Sequence, residues 1–129
     1  MNKIIVEVSI GELLDKISIL EIKQEKIKDP EKLKFINNEH SILKSQLERN
    51  VTSNKKLDSL YQSLKEINAK LWVIEDNKRQ CEKDKDFGEK FIKLSRDVHF
   101  LNDDRAKIKL EINNHSGSTI KEIKEYTNY

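Results

Sequence analysis

The stretch Leu57-Asp58-Ser59-Leu60-Tyr61-Gln62-Ser63-Leu64-Lys65-Glu66-Ile67-Asn68-Ala69-Lys70-Leu71-Trp72-Val73-Ile74 decides the fold. Its residues Leu57, Leu60, Leu64, Ile67, Leu71 and Ile74 recur in alternating steps of three and four, which is a coiled-coil-like seam along one helix. That helix is expected over about 54–83, roughly 45 Å at 1.5 Å per residue. Asp84–Asp86 reads as a tight turn, and Asp86-x-x-Glu89 as the cap of a further helix over about 87–114. The main stripe of that helix is Phe87, Phe91, Leu94, Val98, Leu101, Ile108 and Ile112. So short a connection makes the two helices antiparallel neighbours.

Upstream, Ser9-Ile10-Gly11-Glu12 is a capping box, in which a serine hydroxyl accepts from the amide three residues on. A helix follows over about 10–28 and stops at Asp29-Pro30, where Asp29 can cap a second helix over 30–49 with Pro30 at its first position. Residues 3–8, Lys-Ile-Ile-Val-Glu-Val, carry the one strand signal, rich in β-branched side chains. Two readings are open: pairing with the same strand of another subunit, or an extended segment lying across a helix. Ser116-Gly117-Ser118 ends the hairpin, and Ile120, Ile123 and Tyr126 suggest a short terminal helix over 119–126. The expected fold is therefore all-α, a single domain over 1–129 of antiparallel helical hairpins with about four helices and one short N-terminal strand.

Composition bounds the function. The 129 residues are 36% hydrophobic and 37% charged, with three Gly and one Pro, which favours few, long helices. Charge is balanced at +2, and neither half is polarised: residues 1–50 hold nine charges of each sign. Without a basic stripe, phosphate-backbone binding to nucleic acid is not expected. No apolar run approaches a membrane span or a signal peptide, and the single Cys81 suits a reducing compartment, so the expected location is cytoplasmic. His40, His99, His115 and Cys81 show no metal-ligand spacing, and no cofactor is implied. No Ser/His/Asp or Cys/His arrangement and no Gly-rich phosphate loop is present, and Trp72, flanking the seam, reads as core.

Charges occupy positions that periodicity assigns to buried faces. Arg105 stands where the main stripe of the 87–114 helix needs an apolar side chain, and past Ile74 the other seam continues as Glu75, Lys78, Arg79 and Glu82. A guanidinium removed from water is costly unless it meets carboxylates or an anionic ligand. The first helix is apolar on two sides. Ile10, Leu13, Leu14, Ile17 and Leu20 make one face, while Ile19 and Ile22 lie beside Glu12, Asp15, Lys16 and Lys23. The 87–114 helix repeats this, with Ile92, Phe100 and Leu110 mixed with Arg96, His99 and Asp103. A helix apolar on two sides is sandwiched. Such second faces form either a subunit interface or a polar-lined cleft. Gly11 at the first helix's N-terminus could also leave amides free for an anion, although Glu12 competes for them.

Taken together, several segments carry a family resemblance. Val8-Ser9-Ile10-Gly11-Glu12-Leu13-Leu14-Asp15-Lys16-Ile17-Ser18-Ile19-Leu20-Glu21-Ile22-Lys23 resembles the opening of a bacterial domain-of-unknown-function family often encoded near glycosyltransferases in surface-polysaccharide loci. Leu71-Trp72-Val73-Ile74-Glu75-Asp76 with Arg79, Asp86-Phe87-Gly88, Phe91-Ile92-Lys93-Leu94-Ser95-Arg96 and Asn102-Asp103-Asp104-Arg105-Ala106-Lys107-Ile108-Lys109 are similar to it as well. Ile112-Asn113 and Gly117-Ser118 continue the likeness, which is weakest over 37–65. Asn77, Lys78 and His99 depart from the pattern, where a second acid, an apolar residue and an aromatic hydroxyl are usual. The resemblance implies a fold shared end to end and a link to sugar metabolism. It implies no activity.

The leading expectation is a homo-oligomeric helical protein binding a small anionic ligand such as a nucleotide or sugar nucleotide. Arg96, Arg105, Lys16 and Lys23 would meet the anion, Glu12, Asp15, Glu75 and Asp103 would orient them or contact hydroxyls, and Arg79 belongs to the same charged set. The alternatives are a small all-helical enzyme of mutase or lyase type using the same cleft, and a structural adaptor with no ligand.

Overall fold

The computed structural model describes residues 2–129, which form four helices: α1 (Ile10–Lys26), α2 (Pro30–Asn50), α3 (Lys55–Asp84) and α4 (Glu89–Ser116). The caps follow local chemistry. Ser9 Oγ accepts from the Glu12 amide at 3.0 Å, Asp29 Oδ1 from Glu31 at 3.1 Å with Pro30 opening the helix, and Asn54 Oδ1 from Leu57 at 2.9 Å. α3 ends at Lys85, which takes the left-handed conformation (φ 53°), and α4 ends at Gly117 (φ 68°), where a residue without Cβ enters that region at no steric cost.

α3 and α4 run antiparallel. Near their shared turn the Lys78 ammonium lies 5.7 Å from the Phe91 ring centre, and at the far end His115 Nε2 meets Asn54 Oδ1 at 3.1 Å. α1 packs against all three other helices, as its two apolar faces require, whereas α2 lies chiefly along α1. Where they converge, Leu14, Leu57, Leu64 and Ile112 form the apolar core, flanked by Ile10, Leu47, Val51, Leu60, Tyr61 and Ile108. Each fully buried aliphatic side chain contributes about 1.5–3 kcal/mol. Among the described residues only eight aliphatic side chains and Cys81 are buried, so this core is small for the chain it holds together.

Three expectations are corrected. Residues 3–8 form no strand in this chain: Ile4 and Ile5 are 90% and 87% exposed, so the segment does not lie across a helix. Its β-branched content favours extended backbone, but a strand exists only with a partner to take its amides and carbonyls. Residues 119–126 form no helix. Beyond Gly117 the tail is held instead by contacts with α4: Glu122 pairs with Lys109 at 3.0 Å, and the Tyr129 ring stacks edge-on to His99 and Phe100. About two turns are too few to cover the nucleation cost of a helix, so such contacts decide its path. Finally, α4 begins at Glu89 rather than 87, with Gly88 at the cap and no side-chain capping bond. Asp86 Oδ1 accepts from the Gly88 amide at 3.2 Å, two residues ahead of the cap position.

No helix among the described residues is long and apolar enough to cross a membrane.

Candidate functional site

The site is built on the contact between α1 and α4. Gly11 lets the two backbones touch: a Cβ there would stand 2.7 Å from the Lys109 carbonyl oxygen and 2.9 Å from Asn113 Oδ1. The Gly11 amide donates to Asn113 Oδ1 at 2.7 Å, and the Glu12 amide to Ser9 Oγ. Both amides that an anion at this helix N-terminus would use are thus already taken, which removes that reading of Gly11.

One turn further on, the buried carboxylate of Asp15 meets Arg105. Nε donates to Oδ1 at 3.0 Å and Nη2 to Oδ2, a bidentate fork that fixes the guanidinium plane. Asn68 of α3 donates to Asp15 Oδ1 and to Ser18 Oγ, both at 2.8 Å, and Lys109 Nζ lies 3.5 Å from Oδ2. Lys109 also reaches Glu12 at 2.8 Å and Glu122 of the tail at 3.0 Å. Burial raises the Asp15 carboxyl, but Arg105, Asn68 and Lys109 outweigh it and hold it below the usual aspartate range. The bond to Asp15 raises Arg105 above its ordinary value. Burial lowers Lys109, yet its glutamate partners carry it upward overall.

This network is nearly charge-balanced, so it is not an anion trap. What it does is aim Arg105. The guanidinium has five N–H groups; Asp15 takes two, and Asn102 makes a long third contact at 3.4 Å. Its side chain remains 25% exposed and borders a cleft of about 440 Å³ between α1, α3 and α4. Ile19, Ile22, Leu71 and Trp72 form the apolar walls, and Asn68, Glu75, Asp76 and Arg79 the polar margin. Arg79 donates to Glu75 Oε2 at 2.9 Å across one helical turn, an exposed pair that a competing ligand can displace at small cost. Trp72 is half-buried and lines this cleft, so it is not the core residue expected. An apolar cavity with a few convergent polar groups is the usual form of a small-molecule site.

The expected site residues therefore divide. Asp15 and Arg105 are joined directly, Glu12 is joined through Lys109, and Glu75 and Arg79 face Arg105 around the cleft. Lys16, Lys23 and Arg96 take part in none of the ion pairs among the described residues. Lys16 is exposed, and Arg96 lies on the outer side of α4, 5.8 Å from the Phe100 ring centre. Asp103 accepts the Tyr129 hydroxyl and borders a separate cleft of about 720 Å³ between α4 and the tail. The four cations expected to meet one anion do not converge.

Lys109, Asn68, Asn113 and Glu122 are members that periodicity missed. The spacing of Arg105, Lys109 and Asn113, four apart, opposite Gly11, Glu12 and Asp15 was the available signal. A second half-buried cluster also went unread: Glu21 accepts from the Tyr61 hydroxyl, meets His40 Nε2 at 3.0 Å and lies 3.7 Å from Lys65. Burial raises the Glu21 carboxyl, but these partners bring it below the usual range, while burial and Glu21 together push the Tyr61 hydroxyl up. No group of three or more metal-ligating side chains is assembled among the described residues.

The chain is thus an all-helical protein in which an internal carboxylate orients an arginine at the edge of a three-helix cleft. It belongs to a family of unknown function (DUF6165), which it matches over residues 4–129. No curated protein and no solved structure matches it.

Proposed function

We propose that this is a homo-oligomeric helical protein that binds a small anionic, hydroxyl-bearing ligand, a nucleotide or sugar nucleotide, in the cleft between α1, α3 and α4. The observation that carries the reading is Arg105, fixed by Asp15 and lining a cleft walled by Trp72 and Leu71. A preorganised guanidinium loses little freedom on meeting a phosphate oxygen, which favours affinity. Arg79, released from Glu75, is the second cation. Glu75 and Asp76 suit hydroxyl donors, and the Trp72 ring offers a stacking face. The choice of a sugar nucleotide over other anions rests on the link to sugar metabolism that the sequence resemblance implies. Lys16, Lys23 and Arg96 have no part in this version of the site.

Nucleoside diphosphates and nucleotide sugars should raise the melting temperature in proportion to the logarithm of ligand concentration. Arg79→Ala, at an exposed position, should leave the unliganded melting temperature in place and weaken binding about tenfold, the cost of one charge-assisted contact. If no charged nucleotide or sugar nucleotide shifts the transition, the ligand reading fails. The adaptor reading then stands, favoured by the near charge balance of the Asp15–Arg105–Lys109 network.

A further inference from the structure

The outer face of the α3–α4 hairpin is apolar and uncovered. Ile92 is 54% exposed, Val73 47% and Phe100 39%, even with Tyr129 against the Phe100 ring. Two shallow grooves flank Phe100, one running along Ile92 and Arg96, the other along Val73 and Leu101. Phe100 and Asp97 line both, so the patch is continuous across the two helices. A soluble monomer keeps patches of this kind small.

The whole chain shows the same imbalance. It exposes 9500 Å², against about 7,100 Å² expected of a monomeric protein of 15.2 kDa. The extended arm before Ser9 and the tail after Gly117 account for part of the excess of about 2,400 Å². A standard interface, however, removes only about 800 Å² per partner. The patch supplies the apolar centre of such a contact, and the charged side chains around it the rim.

The rim says which partner. Around the two grooves Glu89 and Asp97 stand among Lys70, Lys93 and Arg96, so the rim is mixed in sign. A strongly acidic or basic partner gains nothing from such a rim, whereas a two-fold copy of the same face can set each charge against its opposite. Arg96 enters no ion pair among the described residues of its own chain, so it is available to a carboxylate across an axis.

We infer that Val73, Ile92, Arg96 and Phe100 form a two-fold interface on which a second copy of this chain docks. This rests on the homo-oligomeric part of the reading above and not on its ligand. The dimer leaves the α1–α3–α4 cleft outside the contact, since Ile19, Ile22 and Trp72 line neither groove.

Sedimentation velocity across a concentration series tests it on the full chain. The wild-type mass should approach twice 15.2 kDa. Val73→Glu and Ile92→Glu, at exposed positions on different helices, should each return the single-chain mass with an unchanged far-UV circular dichroism spectrum. Phe35→Glu, equally apolar and 74% exposed but on α2, should leave the dimer intact. A wild-type chain that stays monomeric overturns the inference. So does a dimer that survives both α3–α4 variants, or one lost on deleting residues 2–7 while Ile92→Glu retains it. None of these outcomes depends on nucleotide binding, so failure here and failure of the ligand reading are separable.

Discussion

The contact between α1 and α4 and the outer face of the α3–α4 hairpin invert the ordinary placement of residues. On the inside, Asp15, Asn68 and Lys109 are buried and joined to one another, and buried Asn113 accepts from the Gly11 amide. On the outside, Val73, Ile92 and Phe100 face water. The first arrangement is stable because every charge in it has a partner of fixed geometry; burial without those partners would cost several kcal/mol per ion. The second is tolerable because exposed apolar area costs only the gain forgone, about 25 cal/mol per Å². A polar interior is thus intolerant of change, and an apolar exterior tolerant of it. The three effects below differ in size for that reason.

Asp15→Ala is the sharpest way to break the interior. It strips a bidentate partner from Arg105, removes one of three acids from Lys109 and leaves the Asn68 amide with only Ser18. Removing one partner of a buried pair costs about 3–5 kcal/mol, and the partial exposure of Arg105 places this case near the lower end. Urea denaturation followed by circular dichroism reads the loss as a lower midpoint at unchanged slope. Asp15→Asn keeps the shape and part of the bonding, so it should lie between the two. A loss below about 1 kcal/mol for Asp15→Ala would place this pair with ordinary surface salt bridges and end the contrast.

Much of this was legible in the sequence. The alternation at Leu57–Ile74 gave α3, and Ser9, Asp29-Pro30 and the polar loop at Asn54 marked where helices begin, because caps are local chemistry. Periodicity also located Arg105 on a face that had to be buried. It did not supply the partner. Asp15 is ninety positions away, and which of its neighbours meets which depends on how α1 lies on α4, a matter set by the close approach at Gly11. Lys109 is hard to read in advance, because a lysine one turn from an arginine is ordinarily on a solvated face. The segments 3–8 and 119–126 mislead for the opposite reason. Their apolar residues carry the signal of a regular element, but no contact partner along the chain completes one.

Acid should unmake the interior before it touches the exterior. Asp15, Glu21 and Glu122 all sit below their usual carboxylate ranges: burial opposes the shift at Asp15 and Glu21 but is outweighed by their partners, and Lys109 draws Glu122 down. A carboxylate whose folded-state value is depressed stabilises the fold fully above its unfolded value, near 4, and loses that contribution as pH falls through the folded value. Arg105 and Lys109, raised in the fold, keep their contribution until pH climbs beyond the ordinary lysine and arginine range. The denaturation midpoint should therefore be flat from neutrality down to about pH 5 and fall below about pH 4. Asp15→Asn should flatten part of that fall. An acid limb of the same depth in Asp15→Asn would assign it elsewhere, with Glu21 the next group to replace.

The smallest effect belongs to the outer face, and it calibrates the others. Lys93 and Asp97 form an ion pair at 3.0 Å, a separation close to that of Arg105 Nε from Asp15, but the Lys93 side chain is 78% exposed. Water screens the attraction, and ordering a long side chain offsets most of what remains. Lys93→Ala should cost no more than about 0.3–0.5 kcal/mol, partly recovered by the better helix propensity of alanine. In moderate salt the difference from wild type should vanish, while the loss at Asp15→Ala persists because its pair is shielded from counter-ions. Measuring both variants at low and high salt, at protein concentrations too low for self-association, separates environment from geometry. Equal salt sensitivity would mean that burial at α1–α4 does not set the strength of the Asp15–Arg105 pair, and the cleft would lose the rigid arginine on which its ligand reading depends.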